Sequence, residues 1–138
     1  MKKVMERLKE KGIRLTPQRL AVIEFLKDNK NHPCVDMIYR AIKKKYPSIS
    51  QATVYSTLQL LVKLGEIQEL HIRGERTCYD PITTPHHHFL CRVCGKIYDV
   101  DIQSCKVSNS KNVSGHKIEE VQLYIYGICK NCLKKEER

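Results

Sequence analysis

The sequence predicts an α+β protein in two parts, an N-terminal winged helix-turn-helix followed by a small zinc-containing α/β domain. Three observations carry that prediction. Apolar residues recur at helical spacing between capping residues as far as Gly65, a short apolar alternation surrounds Arg73-Gly74, and two Cys-x-x-Cys pairs bracket the C-terminal part. At 138 residues the chain has room for one ordinary domain, or for two small ones that each need a metal or a partner chain. A small two-part protein that forms a homodimer is therefore expected.

Each element has a local reason. Val4, Met5 and Leu8 fall on one face of a first helix that stops at Gly12, a residue suited to a left-handed helix end. Thr16 supplies an N-cap and Pro17 the first helical position of a second helix, in which Leu20, Ile23 and Leu26 share a face as far as Asn29. Val35, Ile38 and Ile42 mark a third helix that must end near Tyr46, because Pro47 follows. Ser50 caps a fourth helix with Val54, Leu58, Leu61 and Leu64 inward and Gly65 at its end. Residues 67–72 and 75–79 read as a two-stranded ribbon, the wing, so the first domain covers 1–80.

Pro81 and Pro85 mark a stiff connection over 81–85, and a second domain covers 86–138. Strand patterns fall at 97–100 and 118–126, the polar segment 106–115 reads as a helix, and the charged tail 134–138 as a frayed end.

The excess of 25 Lys and Arg over 15 Asp and Glu gives a net charge of +10, which suits a polyanionic partner, double-stranded DNA, over a membrane. There is no membrane-spanning apolar run and no secretory signal, so the expected location is cytoplasmic. On the fourth helix the stripe of Ala52, Tyr55, Ser56, Gln59 and Lys63 carries hydrogen-bonding groups and a methyl without large aliphatics, which fits a DNA groove. Arg14, Arg19 and the helix start at Ser50 suit phosphates, while Gln51, Tyr55, Ser56 and Gln59 suit base edges, Tyr55 through a thymine methyl. A tyrosine partly in the core is the plainer reading of Tyr55.

Cys91, Cys94, Cys129 and Cys132 have the spacing of a closed tetrahedral structural zinc site. A redox-active dithiol is the alternative, but the pairs lack a thioredoxin-like helix-opening context. Using four of seven cysteines in this way fits a reducing compartment better than a disulfide framework, and leaves Cys34, Cys78 and Cys105 over. His86 and His88 would share one side of an extended strand, with Asp80 upstream and Asp99 downstream completing a nitrogen and oxygen site for manganese, iron or zinc. The plain alternative makes His86, His87 and His88 a solvated loop and His32 a helix-capping residue.

Gly12-x-Arg14-x-Thr16-Pro17-Gln18-Arg19, His32-Pro33, Ala52-Thr53-Val54-Tyr55 and His86-x-His88-x-x-Cys91-x-x-Cys94-Gly95-Lys96 together resemble the ferric uptake regulator (Fur) superfamily across nearly the whole chain. The resemblance implies a dimeric, metal-dependent transcriptional regulator, not an enzyme, with an N-terminal DNA-binding domain, a C-terminal dimerisation domain, Zn2+ at the four cysteines and no small organic substrate. It also implies a regulatory site at His32, Asp80, His86, His88 and Asp99. Aspartate at both Asp80 and Asp99 is nearest the peroxide stress regulator (PerR) branch. That branch implies a repressor holding Fe2+ or Mn2+, with His32 and His86 as targets of iron-catalysed oxidation by hydrogen peroxide and loss of metal releasing DNA.

An iron- or zinc-responsive repressor of metal uptake on the same fold is the rival expectation. A zinc-ribbon interaction protein without a second metal, and a small metallohydrolase using Asp80, His86, His88 and Asp99, are further from the pattern. Cys34 stands where Thr or Ser usually caps the third helix. Like Cys78, it reads either as a buried small residue or as an additional oxidation target, and Cys105 reads as structural.

Overall fold

The computed structural model describes residues 2–83, 86–101 and 110–136. It divides into two compact units, Met1–Thr83 and Thr84–Arg138.

The first unit is four helices and a hairpin: α1 (Lys2–Glu10), α2 (Pro17–Asp28), α3 (Val35–Lys45), α4 (Gln51–Lys63), β1 (Gln68–Arg73) and β2 (Arg76–Asp80). Gly12, at φ +73°, lets the amide of Ile13 turn back to the carbonyl of Leu8 and close α1. Thr16 accepts from the Arg19 amide at the start of α2, and Ser50 accepts from the Thr53 amide at the start of α4. Gly65, at φ +75°, ends α4 in the same way as Gly12 ends α1. The inward faces meet in one core, with Leu8, Val22, Leu26, Ile38, Val54 and Leu58 all buried. β1 and β2 pair antiparallel around Gly74 and complete a winged helix.

The second unit is built on a three-stranded sheet in the order β4-β3-β7, from β3 (His87–Cys91), β4 (Ile97–Val100) and β7 (Tyr124–Gly127). β3 runs antiparallel to β4 and parallel to β7, so the central strand carries the histidines. A small hairpin of β5 (Asn112–Val113) and β6 (His116–Lys117) and a terminal α5 (Lys130–Glu136) complete it. No helix among the described residues is long and apolar enough to cross a membrane.

The structure corrects three expectations here. The segment 106–115 is not a helix where it is described: Ser114 and Gly115 both take positive φ, the two-residue turn that closes the β5-β6 hairpin, and the rest of that expectation lies outside the described residues. The strand expected over 118–126 starts only at Tyr124, because the chain meets β3 only there, its first contact being the His88 amide on the Leu123 carbonyl. The tail expected to fray from 134 is helical to Glu136, since α5 carries Cys132 back beside Cys91.

The Glu66 carboxyl is held below its ordinary value of 4.5 by hydrogen bonds from the Arg7 guanidinium, which outweigh its partial burial. A carboxyl depressed by folding adds stability above its unfolded pKa and loses that contribution as pH falls through the folded one. Urea midpoints for the wild type and Glu66→Gln should therefore differ at neutral pH and converge as the pH drops below 4.5. A gap that persists unchanged at acid pH would contradict this ion pair.

Candidate metal centres

Two donor chemistries are present, one of sulfur and one of imidazole with carboxylate. Cys91 ends β3, Cys94 lies in the turn that Gly95 closes with its amide to the Cys91 carbonyl, and Cys129 and Cys132 flank the start of α5. Their four sulfurs all lie within 4.8 Å of one another. The Cys91–Cys132 and Cys94–Cys129 sulfur pairs stand at 3.8 Å. Sulfurs placed about 2.3 Å from a tetrahedral zinc ion are about 3.8 Å apart, so the spacing fits zinc.

Charge is already provided for at this cluster. The Cys91 thiol is pushed down to about 6, first by the Cys129 amide and then by the Cys94 amide, which donate to its sulfur over 3.3 and 3.4 Å. Cys129 is lowered chiefly by the Tyr98 hydroxyl, whose own pKa that hydrogen bond drives up to about 12. Cys132, sharing its proton with Cys129 and buried, is pushed up to about 12. Negative charge thus gathers on the first thiols to ionise, and the last needs a cation before it gives up its proton.

The imidazole and carboxylate donors are divided between the units. In the second, side chains alternate along β3, so His86 and His88 share a face and His87 is buried on the other. Their rings are 4.5 Å apart between centroids. Asp99, paired with His88 across β3-β4, sets one oxygen, Oδ1, 3.3 Å from His86 Nε2 and 3.5 Å from His88 Nε2. His88 is almost fully buried, whereas Asp99 is 42 % exposed, which leaves the site a way in from solvent.

In the first unit His32 Nε2 lies 3.3 Å from Asp80 Oδ2, and both residues are buried. His32 takes φ +55°, and Asp80 is oriented by the Ile82 amide donating to its other oxygen, Oδ1. Positive φ is uncommon outside glycine, although histidine is among the residues that adopt it more often. Each half therefore presents nitrogen and carboxylate oxygen donors without sulfur, the chemistry of iron, manganese or zinc.

On α4, Gln51, Ala52, Tyr55 and Ser56 are exposed, Tyr55 by 50 %. The Ser56 hydroxyl donates to the Thr53 carbonyl. Gln59 is only partly exposed, with its amide 3.5 Å from the Tyr79 hydroxyl, so it leans toward the wing. Arg14 is exposed, and its carbonyl accepts from the Arg19 guanidinium.

Two features escaped the sequence reading. Tyr98 carries no motif, and only the sheet brings its hydroxyl to Cys129. Cys34 and Cys78 face each other across an antiparallel bridge and are joined as a disulfide, not left as separate bystanders. Each sits two residues from a predicted ligand, so strand alternation is the signal that links them.

The sequence profile of the Ferric uptake regulator family matches residues 10–126. A Bacillus subtilis protein named Peroxide operon regulator is 38 % identical, over 99 % of this chain and 95 % of its own. The solved structure describing peroxide sensing and gene regulation by PerR from Streptococcus pyogenes is similar at 36 % identity, covering 94 % of this chain and 90 % of that one, with a TM-score of 0.56. The Helicobacter pylori ferric uptake regulator has the same fold, with a TM-score of 0.76 over 96 % of this chain and 90 % of its own at 23 % identity.

The Tyr98 hydroxyl provides a direct test of the sulfur site. Tyr98→Phe keeps the ring beside Phe89 and removes the hydrogen bond to Cys129, so zinc affinity should fall about tenfold or more in competition with a chromophoric chelator. Unchanged affinity would show that the hydroxyl contributes nothing to the metal centre.

Proposed function

From a chain that belongs to the ferric uptake regulator family, we propose a homodimeric, metal-dependent repressor that senses hydrogen peroxide in the cytoplasm and releases DNA when its regulatory metal is lost. The observation that carries this reading is the sulfur-free donor set. Asp99 serves His86 and His88 with one oxygen, and Asp80 faces His32, a combination suited to Fe2+ or Mn2+. Zn2+ at Cys91, Cys94, Cys129 and Cys132 has a separate, structural role.

One ion held by His32 and Asp80 from the first unit and by His86, His88 and Asp99 from the second would fix residues 1–80 against residues 86–138 through the connection at 81–85. Fixing that geometry favours the arrangement in which two winged helices of a symmetric dimer enter the major groove about 34–36 Å apart, or a multiple of it. Linkage then requires DNA to strengthen metal binding by the factor by which metal strengthens DNA binding. Arg14, Arg19 and the N-terminus of α4 at Ser50 would hold phosphates. Gln51, Ala52, Tyr55, Ser56 and Gln59 would face the bases, with the exposed Tyr55 ring the best placed for a thymine methyl.

The chemistry that bound ferrous iron supplies, and bound manganese does not, is one-electron reduction of hydrogen peroxide beside the ligand imidazoles. His32 and His86 are the residues proposed to gain oxygen. An oxidised imidazole is a poorer donor, so the shared cation would be held less firmly and the two units would uncouple. The protein is altered by its signal and turns over no substrate, which separates a sensor from an enzyme.

The test is peptide mass spectrometry of iron-loaded protein exposed to peroxide, with a manganese-loaded control. One added oxygen is expected on the peptide containing His32 or on that containing His86, accompanied by a loss of operator affinity of at least about tenfold. The manganese form should keep both its histidines and its DNA. Oxidation confined to cysteines would remove the histidine mechanism and favour an iron- or zinc-responsive repressor on the same donors.

A further inference from the structure

His32, Cys34, Cys78 and Asp80 form two consecutive cross-strand pairs. The bridge joins Cys34 to Cys78, the Tyr79 amide donates to the Pro33 carbonyl between the pairs, and His32 meets Asp80 at 3.3 Å one step further along. The contacts follow in succession, 34 against 78, 33 against 79 and 32 against 80, so the cysteine link closes the chain two residues from the His32–Asp80 pair. Nothing in the regulatory reading uses the two sulfurs. Both are buried, Cys34 at 2 % and Cys78 at 0 % exposure, and they are linked as a disulfide. Cys34 also gives α3 no side-chain cap, so its sulfur serves the link and not the helix.

We propose that Cys34 and Cys78 are a reversible oxidation site, a disulfide clamp that holds His32 against Asp80 and thereby sets how well the first unit's half of the metal site is formed. Closing the clamp takes two thiols and one hydrogen peroxide. The S–S bond forms, the O–O bond breaks, each thiol gives up one electron and its proton, and two waters leave. A dithiol reverses the reaction, becoming a disulfide itself as both cysteines regain their protons.

The clamp bridges a sequence separation of 44 residues that contains α3, α4 and β1, so it ties the wing to the segment that leads into α3. A cross-link over so long a loop removes much of the freedom open to the unlinked chain. With the link open, the Tyr79 amide bond to Pro33 and the contact of β2 with α3 remain, but the covalent tie beside His32 is gone. Burial of both sulfurs means that neither oxidant nor reductant reaches them until this edge opens, so exchange follows local opening and is slow. The clamp's effect on metal rests on the function proposed above, but its existence and its grip on His32 do not.

The experiment uses the full-length, zinc-loaded chain with no other metal, equilibrated either with a dithiol or with hydrogen peroxide. Three quantities are read: alkylation of Cys34 and Cys78 by peptide mass spectrometry, hydrogen exchange of the Tyr79 amide, and Mn2+ binding by electron paramagnetic resonance. In the oxidised form both cysteines should resist alkylation in one linked peptide, the Tyr79 amide should exchange at least about tenfold more slowly, and Mn2+ should bind about fivefold or more tightly. Cys34→Ala/Cys78→Ala should behave as the reduced form does, whatever the oxidant.

Cysteines that stay open to alkylation after peroxide, or a Tyr79 amide that exchanges equally in both forms, would overturn the clamp. Equal Mn2+ affinity in the two forms would overturn its effect on metal. Absence of Mn2+ binding in either form would count against the proposed function, with Tyr79 exchange still deciding the clamp.

Discussion

The second unit is gathered around the Cys91 sulfur. That sulfur accepts the Cys94 and Cys129 amides, so two backbone turns from distant parts of the chain close on one thiolate. Cys91, Cys129 and Cys132 form a buried cluster around it, with Phe89 and Tyr98 packed alongside. Zinc held by the four sulfurs would add folding free energy at that point. β3 ends at Cys91, so the strand that presents His88 to Asp99 is fixed at one end by the sulfur cluster. The Cys91 sulfur and the His88 imidazole are carried by the same strand.

The first unit prepares its share of the donors without sulfur ligation. Its helices close on an apolar core, and the hairpin brings Asp80 level with His32 at the entrance to α3. A cation that uses donors from both units would couple them while each keeps its own fold. The proposed Cys34–Cys78 clamp would act on the shape of the His32–Asp80 pair, where histidine oxidation would act on its imidazoles.

The helices of the first unit were legible because their signals are local. Thr16 and Ser50 cap as their spacing implied, and Gly12 and Gly65 end helices with positive φ. Cys-x-x-Cys spacing likewise pointed to the sulfur cluster, and period-two alternation put His86 and His88 on one face. Failures came where tertiary pairing decides. Residues 118–122 carry a strand-like pattern but lie before the first β3 contact, where the His88 amide takes the Leu123 carbonyl, and Ser114-Gly115, in a segment whose polar pattern reads as a helix, is a turn. Cys34 and Cys78 are separated by 44 residues, and their pairing becomes readable only once His32 and Asp80, each two residues away, are taken as neighbours. Tyr98 was missed because a hydroxyl that donates to a metal ligand has no sequence signature of its own.

Whether one ion is shared by both units, as proposed, is read from a double-mutant cycle on Mn2+ affinity. Asp80→Asn and Asp99→Asn each remove a carboxylate charge from a different unit. If a single ion uses both, each variant alone should lose most of the affinity and the double variant should lose much less than the sum of the two effects. Losses that add independently, or one variant that binds Mn2+ as tightly as the wild type, would contradict a shared site and leave two unconnected ones.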